Sequence, residues 1–142
     1  MYKIVVDTNI LISSMLSEQG NPAKVMEMID NNKINLIYSP AIIDEYKRVL
    51  AYDKFKVDKD IQRATIDDII EIGELVTPAS SSVSFDKDES DRIFYDAAKS
   101  SGAILITGNT KHYPDESFIM TPADFLTICN SEKLKEKYNC NE

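Results

Sequence analysis

Three acidic side chains stand where a folded chain could bring them together. Asp7 directly follows the apolar run from Lys3 to Val6, which predicts a buried strand. Glu45 and Asp91 each border the apolar face of a predicted helix. Carboxylate oxygens are the ligands that Mg²⁺ prefers, and a bound ion can activate water and stabilise charge on a phosphate. The pattern therefore indicates metal-dependent phosphate chemistry that needs no histidine.

Each acid also has a purely structural interpretation, which the sequence leaves open. Asp7 could cap a helix, because Asp or Thr before a helix satisfies free N–H groups. Glu45 could be a rim glutamate paired with a lysine, with Arg48 pointing elsewhere, and Asp91 could favour the positive end of its helix. Asp96 is predicted to lie on the opposite, solvated side of that helix. A phosphatase with two aspartates at the strand end is disfavoured, because Asn9 stands two residues after Asp7.

Composition narrows the class of protein. The chain has 142 residues, of which 43% are hydrophobic and 28% charged, as expected for one globular domain. It has no apolar run near 18 residues and no signal-peptide pattern, so we expect a cytoplasmic protein without a membrane span. Cys129 and Cys140 form no C-x-x-C pair and cannot complete a zinc site with a single histidine.

The net charge of −8 weighs against a nucleic-acid-binding module with a broad basic face. It does not exclude a nuclease, because divalent cations offset an acidic centre. It also suits a basic protein partner.

Strands and helices are predicted to alternate, which indicates an α/β fold with a parallel sheet and helices on both faces. Ligands of such sheets bind beyond the carboxyl ends of the strands, where Asp7 and Asn109 both lie. The predicted domain covers residues 1–130, and the charged tail 131–142 is expected to fray. The predicted strands are 3–6, 34–38, 74–77, 103–107 and 118–120, the predicted helices are 9–16, 22–31, 40–52, 61–72, 89–101 and 122–130, and residues 78–84 are a predicted loop.

Four segments, in order along the chain, carry a resemblance to the PIN-domain superfamily. They are Ile4-Val5-Val6-Asp7-Thr8-Asn9-Ile10-Leu11-Ile12, Ser39-Pro40 with Glu45, Asp91-Arg92-Ile93-Phe94-Tyr95-Asp96-Ala97-Ala98, and Ala103-Ile104-Leu105-Ile106-Thr107-Gly108-Asn109. The chain is most similar to the toxin components of bacterial toxin–antitoxin pairs, which are VapC-like proteins. The resemblance implies a three-layer α/β/α sandwich and a metal-dependent endoribonuclease. It also implies Mg²⁺ or Mn²⁺ as cofactor, an RNA substrate, an antitoxin partner and a homodimer.

The resemblance also implies roles for individual residues. It assigns Asp7, Glu45 and Asp91 as catalytic metal ligands and Thr8, Asn9 and Thr107 as residues that support their geometry. Asn109 departs from the pattern, because an aspartate is common there; its amide oxygen can still bind a cation but brings no charge.

The loop after Asn109 could present Lys111 and His112 to an RNA phosphate, or could be only a turn. The alternative to a ribonuclease is a PIN-like protein that binds RNA or a protein partner with little or no cleavage. Loss of metal-dependent cleavage in Asp91→Asn would separate the two. An unrelated α/β hydrolase lacks support because the chain has no G-x-S-x-G element.

Overall fold

The computed structural model describes residues 1–79 and 89–139. Five strands form one sheet: β1 (Lys3–Val6), β2 (Asn35–Tyr38), β3 (Glu74–Leu75), β4 (Ile104–Ile106) and β5 (Ile119–Met120). Six helices lie within the described residues: α1 (Thr8–Leu16), α2 (Asn21–Asp30), α3 (Pro40–Leu50), α4 (Lys59–Ile72), α5 (Arg92–Ser101) and α6 (Pro122–Asn139). Single 3-10 turns cover Asp53–Phe55, Glu89–Asp91 and Thr110–His112.

The strands are all parallel and run in the order β3-β2-β1-β4-β5. The chain thus builds one half of the sheet outward from β1, then returns to β1 and builds the other half. The point where the order reverses lies between β1 and β4, where Val6 pairs with Ile106. In open parallel sheets this is the position at which ligands bind. The three-layer α/β/α fold predicted from the sequence is confirmed.

The two central strands are buried because their apolar runs are covered on both faces. Ile4, Val5 and Val6 in β1 and Leu105 and Ile106 in β4 are at most 1% exposed. Burial of one such side chain stabilises the fold by about 1.5–3 kcal/mol, so these strands form a rigid support. The residues that directly follow them are therefore held in fixed positions.

Helix boundaries follow the local capping signals. The Ser39 hydroxyl accepts a hydrogen bond from the Ile42 amide at 3.2 Å, and Pro40 occupies the first turn of α3. Gly102 ends α5 with φ of 68°, in the left-handed region that glycine adopts at low cost. Both caps were predicted from the sequence and are confirmed.

Asp96 corrects one prediction. It was expected on a solvated face, but it is 8% exposed. The five consecutive residues 94–98 are buried, and α5 contacts β1, β2, β4 and α3. A helix covered on more than one side buries positions that a single apolar stripe would leave in water.

Other differences concern the ends of elements. The helix predicted to begin near Glu89 begins at Arg92, after a 3-10 turn, and β3 is two residues long. Helix α6 extends past the predicted end at Asn130 to Asn139, because no glycine or proline interrupts this stretch. Residues 80–84 of the predicted loop, and Cys140, lie outside the described residues. No helix in residues 1–79 and 89–139 is long and apolar enough to span a membrane.

Candidate active site

Asp7 occupies the point where the strand order reverses. Its backbone amide donates to the Ile106 carbonyl at 3.0 Å, which extends the pairing of β1 and β4 by one residue. Its side chain is buried, with an exposed fraction of 6%. Although Asp7 precedes α1, its side chain makes no helix-capping hydrogen bond. Asp7 therefore occupies the N-cap position of α1 through its backbone alone, and its carboxylate is directed to other partners.

The Asp7 carboxylate is held through one oxygen by three neutral donors. Oδ2 accepts hydrogen bonds from Thr107 Oγ1 at 2.8 Å, Tyr113 OH at 2.9 Å and Asn9 Nδ2 at 3.3 Å. Within the described residues, no lysine, arginine or histidine forms an ion pair with it. A buried carboxylate without a cationic neighbour is costly, so its surroundings suit a bound cation.

Asn9 and Thr107 fix the loop that follows β4 against Asp7. The Asn9 side-chain oxygen accepts from the Gly108 amide at 3.1 Å, while its nitrogen donates to Asp7. Thr107 is fully buried, and its hydroxyl accepts from the Asn109 amide at 3.0 Å while it donates to Asp7. These two side chains therefore orient the carboxylate, in the positions where the sequence predicted supporting residues.

Asp91 lies beside the same tyrosine. The pKa of Tyr113 is raised, first because the residue is buried and then because the negative charges of Asp7 and Asp91 oppose ionisation. Asp91 Oδ2 also lies 3.8 Å from His112 Nδ1. Tyr113 thus contacts Asp7 and lies within the electrostatic influence of Asp91, and His112, a possible RNA contact in the sequence, is next to Asp91.

Glu45 has a different partner. It lies on α3, one residue before Tyr46, whose hydroxyl donates to the carbonyl of Val6 at the end of β1. The Glu45 carboxylate accepts two hydrogen bonds from Arg48, Nη2 to Oε1 at 2.6 Å and Nε to Oε2 at 3.1 Å. Helix α3 therefore passes the end of β1, but within the described residues Glu45 makes its hydrogen bonds with Arg48 rather than with Asp7.

The three acids do not form a closed metal-binding group. Among residues 1–79 and 89–139, no set of three acidic, histidine or cysteine side chains is close enough to hold an ion. The surroundings of Asp7 nonetheless fit a divalent cation, because its carboxylate is buried among neutral donors. The buried hydroxyl of the adjacent Thr8 has no hydrogen-bond partner in the part of the chain that the structure describes.

Asn109 and Lys111 are exposed at the rim of the site. The Asn109 amide donates to Thr107, and its carbonyl accepts from the His112 amide at 3.0 Å, so its backbone shapes the loop. No side-chain hydrogen bond of Asn109 to Asp7 is present within the described residues. The assignment of Asn109 as a metal ligand stays a prediction, as does the role of Lys111.

Residues 3–111 match the sequence model of the PIN domain. The chain belongs to the PIN-domain family. The match covers more than half of the chain and confirms the resemblance carried by the four segments. Asp7 and Thr107, at the carboxyl ends of β1 and β4, both lie within the matched PIN domain.

Known proteins similar to this PIN domain are distant in sequence. An uncharacterized protein from Methanocaldococcus jannaschii is 28% identical over 109 residues, which cover 75% of this chain and 70% of that protein. PAE2754 from Pyrobaculum aerophilum shares the fold with a TM-score of 0.57 and 13% identity, over 92% of this chain and 90% of that one.

Two further solved structures are VapBC proteins. VapBC2 from Rickettsia felis, bound to a DNA fragment from its promoter, has a TM-score of 0.53 at 16% identity, over 77% of this chain and 89% of that one. VapBC-1 from nontypeable Haemophilus influenzae has a TM-score of 0.51 at 16% identity. The match covers 78% of this chain and 89% of that one. At these identities the likeness establishes the fold.

Sequence reasoning missed Tyr113 and Tyr46 in this PIN domain. From the sequence, no role in the site was proposed for either residue. One signal was available for Tyr46, because a tyrosine in a buried stripe needs a partner for its hydroxyl. No comparable signal existed for Tyr113, whose contact with Asp7 depends on the path of the loop after β4.

Proposed function

We propose that this PIN domain is a metal-dependent endoribonuclease and the toxin of a toxin–antitoxin pair. The observation that carries the proposal is the buried Asp7 carboxylate at the reversal point of the sheet, held on one oxygen by neutral donors and without an ionic partner among the described residues. Such a carboxylate is suited to bind Mg²⁺ or Mn²⁺. Family membership supports nuclease chemistry at this position.

Each acid has a defined part in this proposal. Asp7 and Asp91 would hold the cation, and Glu45 would join them when its carboxylate leaves Arg48. A bound divalent ion would supply the positive charge that activates water and offsets charge developing on the phosphate. Thr107, Tyr113 and Asn9 keep Asp7 in one orientation, so that little reorganisation is needed during the reaction.

The partners follow from the same proposal. The two VapBC structures and the resemblance to toxin components support an antitoxin that binds this chain. The net charge of −8 suits a partner segment that is basic. We further propose that the protein is a cytoplasmic homodimer and that residues 1–130 form the nuclease domain. Light scattering on the purified protein would test the dimer.

The test is cleavage of a labelled RNA by purified protein with Mg²⁺ or Mn²⁺, compared with Asp91→Asn and Asp44→Asn. Asp44 is exposed next to Glu45, so the matched Asp44→Asn removes one charge from the same region. We expect Asp91→Asn to lower cleavage at least a hundredfold with an unchanged melting temperature, and Asp44→Asn to retain activity. Equal cleavage by both variants, or full wild-type cleavage in excess chelator, would contradict the proposal and favour a binding protein.

A further inference from the structure

The segment from the end of α3 to the start of α4 concentrates positive charge in an acidic protein. Residues 47–63 contain six lysines and arginines and three aspartates, whereas the whole chain contains 16 basic and 24 acidic residues. Two of these aspartates stabilise the N-terminus of α4. The Asp58 side chain accepts a hydrogen bond from the Asp60 amide at 2.9 Å, and Asp60 lies in the first turn of the helix. We call residues 47–63 the basic turn.

Two aromatic rings are stacked within the basic turn. The ring centroids of Tyr52 and Phe55 lie 6.2 Å apart with an interplanar angle of 17°. Lys54 Nζ lies 5.0 Å from the Phe55 centroid, and Arg48 Cζ lies 5.4 Å from the Tyr52 centroid. Tyr52 is 37% exposed. Exposed aromatic rings flanked by cations are the arrangement by which proteins bind single-stranded nucleic acid.

Arg48 connects the basic turn to the candidate active site. Its guanidinium donates to both carboxylate oxygens of Glu45 and to the Tyr52 hydroxyl. A groove of about 470 Å³ between α3 and α4 is lined by Lys47, Lys59, Gln62, Arg63, Ile66, Asp67 and Ile70. The basic turn therefore places cationic side chains both beside Glu45 and along this groove.

We infer that the basic turn binds the single-stranded RNA substrate next to the site of cleavage. The inference rests on the proposed ribonuclease function and names the surface that function would use. Lysines and arginines would contact phosphates, and a base would stack on the exposed ring of Tyr52. Local positive charge explains how a chain with a net charge of −8 can hold a polyanion. An acidic protein segment is a different occupant, and the experiment separates the two.

The experiment measures binding of a fluorescently labelled 12-nucleotide single-stranded RNA by anisotropy, in chelator so that cleavage does not interfere. The test variant carries Lys54→Gln, Lys56→Gln and Lys59→Gln. The matched control carries Lys24→Gln, Lys33→Gln and Lys133→Gln, which are exposed lysines on the α2 and α6 side. Both variants lose three charges, so that a difference between them reports location rather than net charge.

We expect the test variant to bind at least tenfold more weakly and the control to stay within twofold of wild type. The slope of log Kd against log salt should fall by about two in the test variant, because each phosphate contact on a single strand contributes roughly 0.7. Tyr52→Leu should weaken binding about tenfold, whereas Tyr52→Phe, which keeps the ring, should not.

Two results would overturn the inference. Equal losses of RNA affinity in both triple variants would mean that binding depends only on the net charge of the protein. Unchanged RNA binding with lost binding of a polyglutamate peptide would assign the surface to an acidic protein. The proposed function fails separately: a wild-type protein that binds RNA through the basic turn but never cleaves it would retain this inference and reject the enzyme. If the test variant cleaves RNA with an unchanged KM, the enzyme is retained and the basic turn is rejected as the RNA-binding surface.

Discussion

The hydroxyl of Tyr113 donates a hydrogen bond to Asp7 Oδ2 at 2.9 Å across 106 residues of sequence. The negative charge of Asp91 is one of the causes that raise the pKa of the same tyrosine. One neutral side chain thereby interacts with two acids that were selected independently from the sequence. Its role is to orient Asp7, since a phenol that stays protonated can donate a hydrogen bond without adding charge to an acidic site.

Tyr113→Phe removes this hydrogen bond while keeping the ring. We expect the free energy of unfolding to fall by about 1.5 kcal/mol, the scale of a hydrogen bond to a charged group. We expect kcat for RNA cleavage to fall about tenfold with little change in KM, because a loosened carboxylate spends less time in the productive orientation. Urea unfolding and steady-state kinetics measure the two effects.

Tyr46→Phe is the matched control for Tyr113→Phe. It also removes a buried hydroxyl, but that hydroxyl donates to the Val6 carbonyl rather than to Asp7. We expect a similar loss of stability with cleavage within about twofold of wild type. Equal losses of kcat in both variants would show that Tyr113 acts through general stability.

Stability should fall steeply at alkaline pH. Burial, and secondarily the charge of Asp7, raises the pKa of both Tyr46 and Tyr113 above the ordinary value of 10.0. In the unfolded chain both ionise near pH 10, whereas in the fold both keep their protons. Their contribution is therefore fully present below pH 10 and is lost above it, by roughly 1.4 kcal/mol per pH unit for each tyrosine.

Urea unfolding between pH 8 and pH 11.5 measures this dependence. The Tyr113→Phe and Tyr46→Phe variants should each show a shallower fall, because each lacks one titrating group. A wild-type curve that is flat to pH 11.5, or variants with the wild-type slope, would argue against protonated buried tyrosines at the site.

Much of this arrangement could be predicted from the sequence. Short apolar strands that alternate with helices require a parallel sheet, so residues directly after Val6 and Ile106 had to share one edge. Asp7, Asn9 and Thr107 meet for that reason. Ser39-Pro40 and Gly102 set helix ends through local backbone chemistry, which the sequence also reveals.

The remainder depends on tertiary contacts that no local pattern contains. The hydroxyl of Tyr113 finds Asp7 only because of the path taken after Asn109. Asp96 is buried because α5 is covered on more than one side. The sequence predicted a lysine partner for Glu45 and placed Arg48 elsewhere, whereas in the structure Arg48 donates to both oxygens of Glu45.

Arg48→Gln should strengthen metal binding. Arg48 holds both oxygens of Glu45, so a cation that uses Glu45 must first displace the guanidinium. Because the arginine side chain is 55% exposed, solvent screens the pair, and we expect a gain of only about two- to fivefold in Mn²⁺ affinity by calorimetry. Lys47→Gln, which removes a neighbouring charge without touching Glu45, should change affinity less. The same affinity in both variants would remove Glu45 from the metal site.

Asn109→Asp restores the acid that is common at this position in the family. A carboxylate near a divalent ion strengthens binding, but Asn109 is exposed and water screens the added charge. We expect Mg²⁺ or Mn²⁺ affinity to rise about three- to tenfold and cleavage at limiting metal to rise with it. Asn130→Asp adds the same charge on exposed α6 and is the control. If calorimetry finds no gain in Asn109→Asp, position 109 does not belong to the site.

The strand order also determines when the site can exist during protein synthesis. Asp7 is synthesised 100 and 106 residues before Thr107 and Tyr113, whose hydroxyls donate to its carboxylate. Strand β1 remains without its neighbour β4 until residue 106 has emerged, and closing so long a loop is slow. A nascent chain that ends before Thr107 lacks both of these donors, so the ordered Asp7 carboxylate forms only after residue 113 has been synthesised.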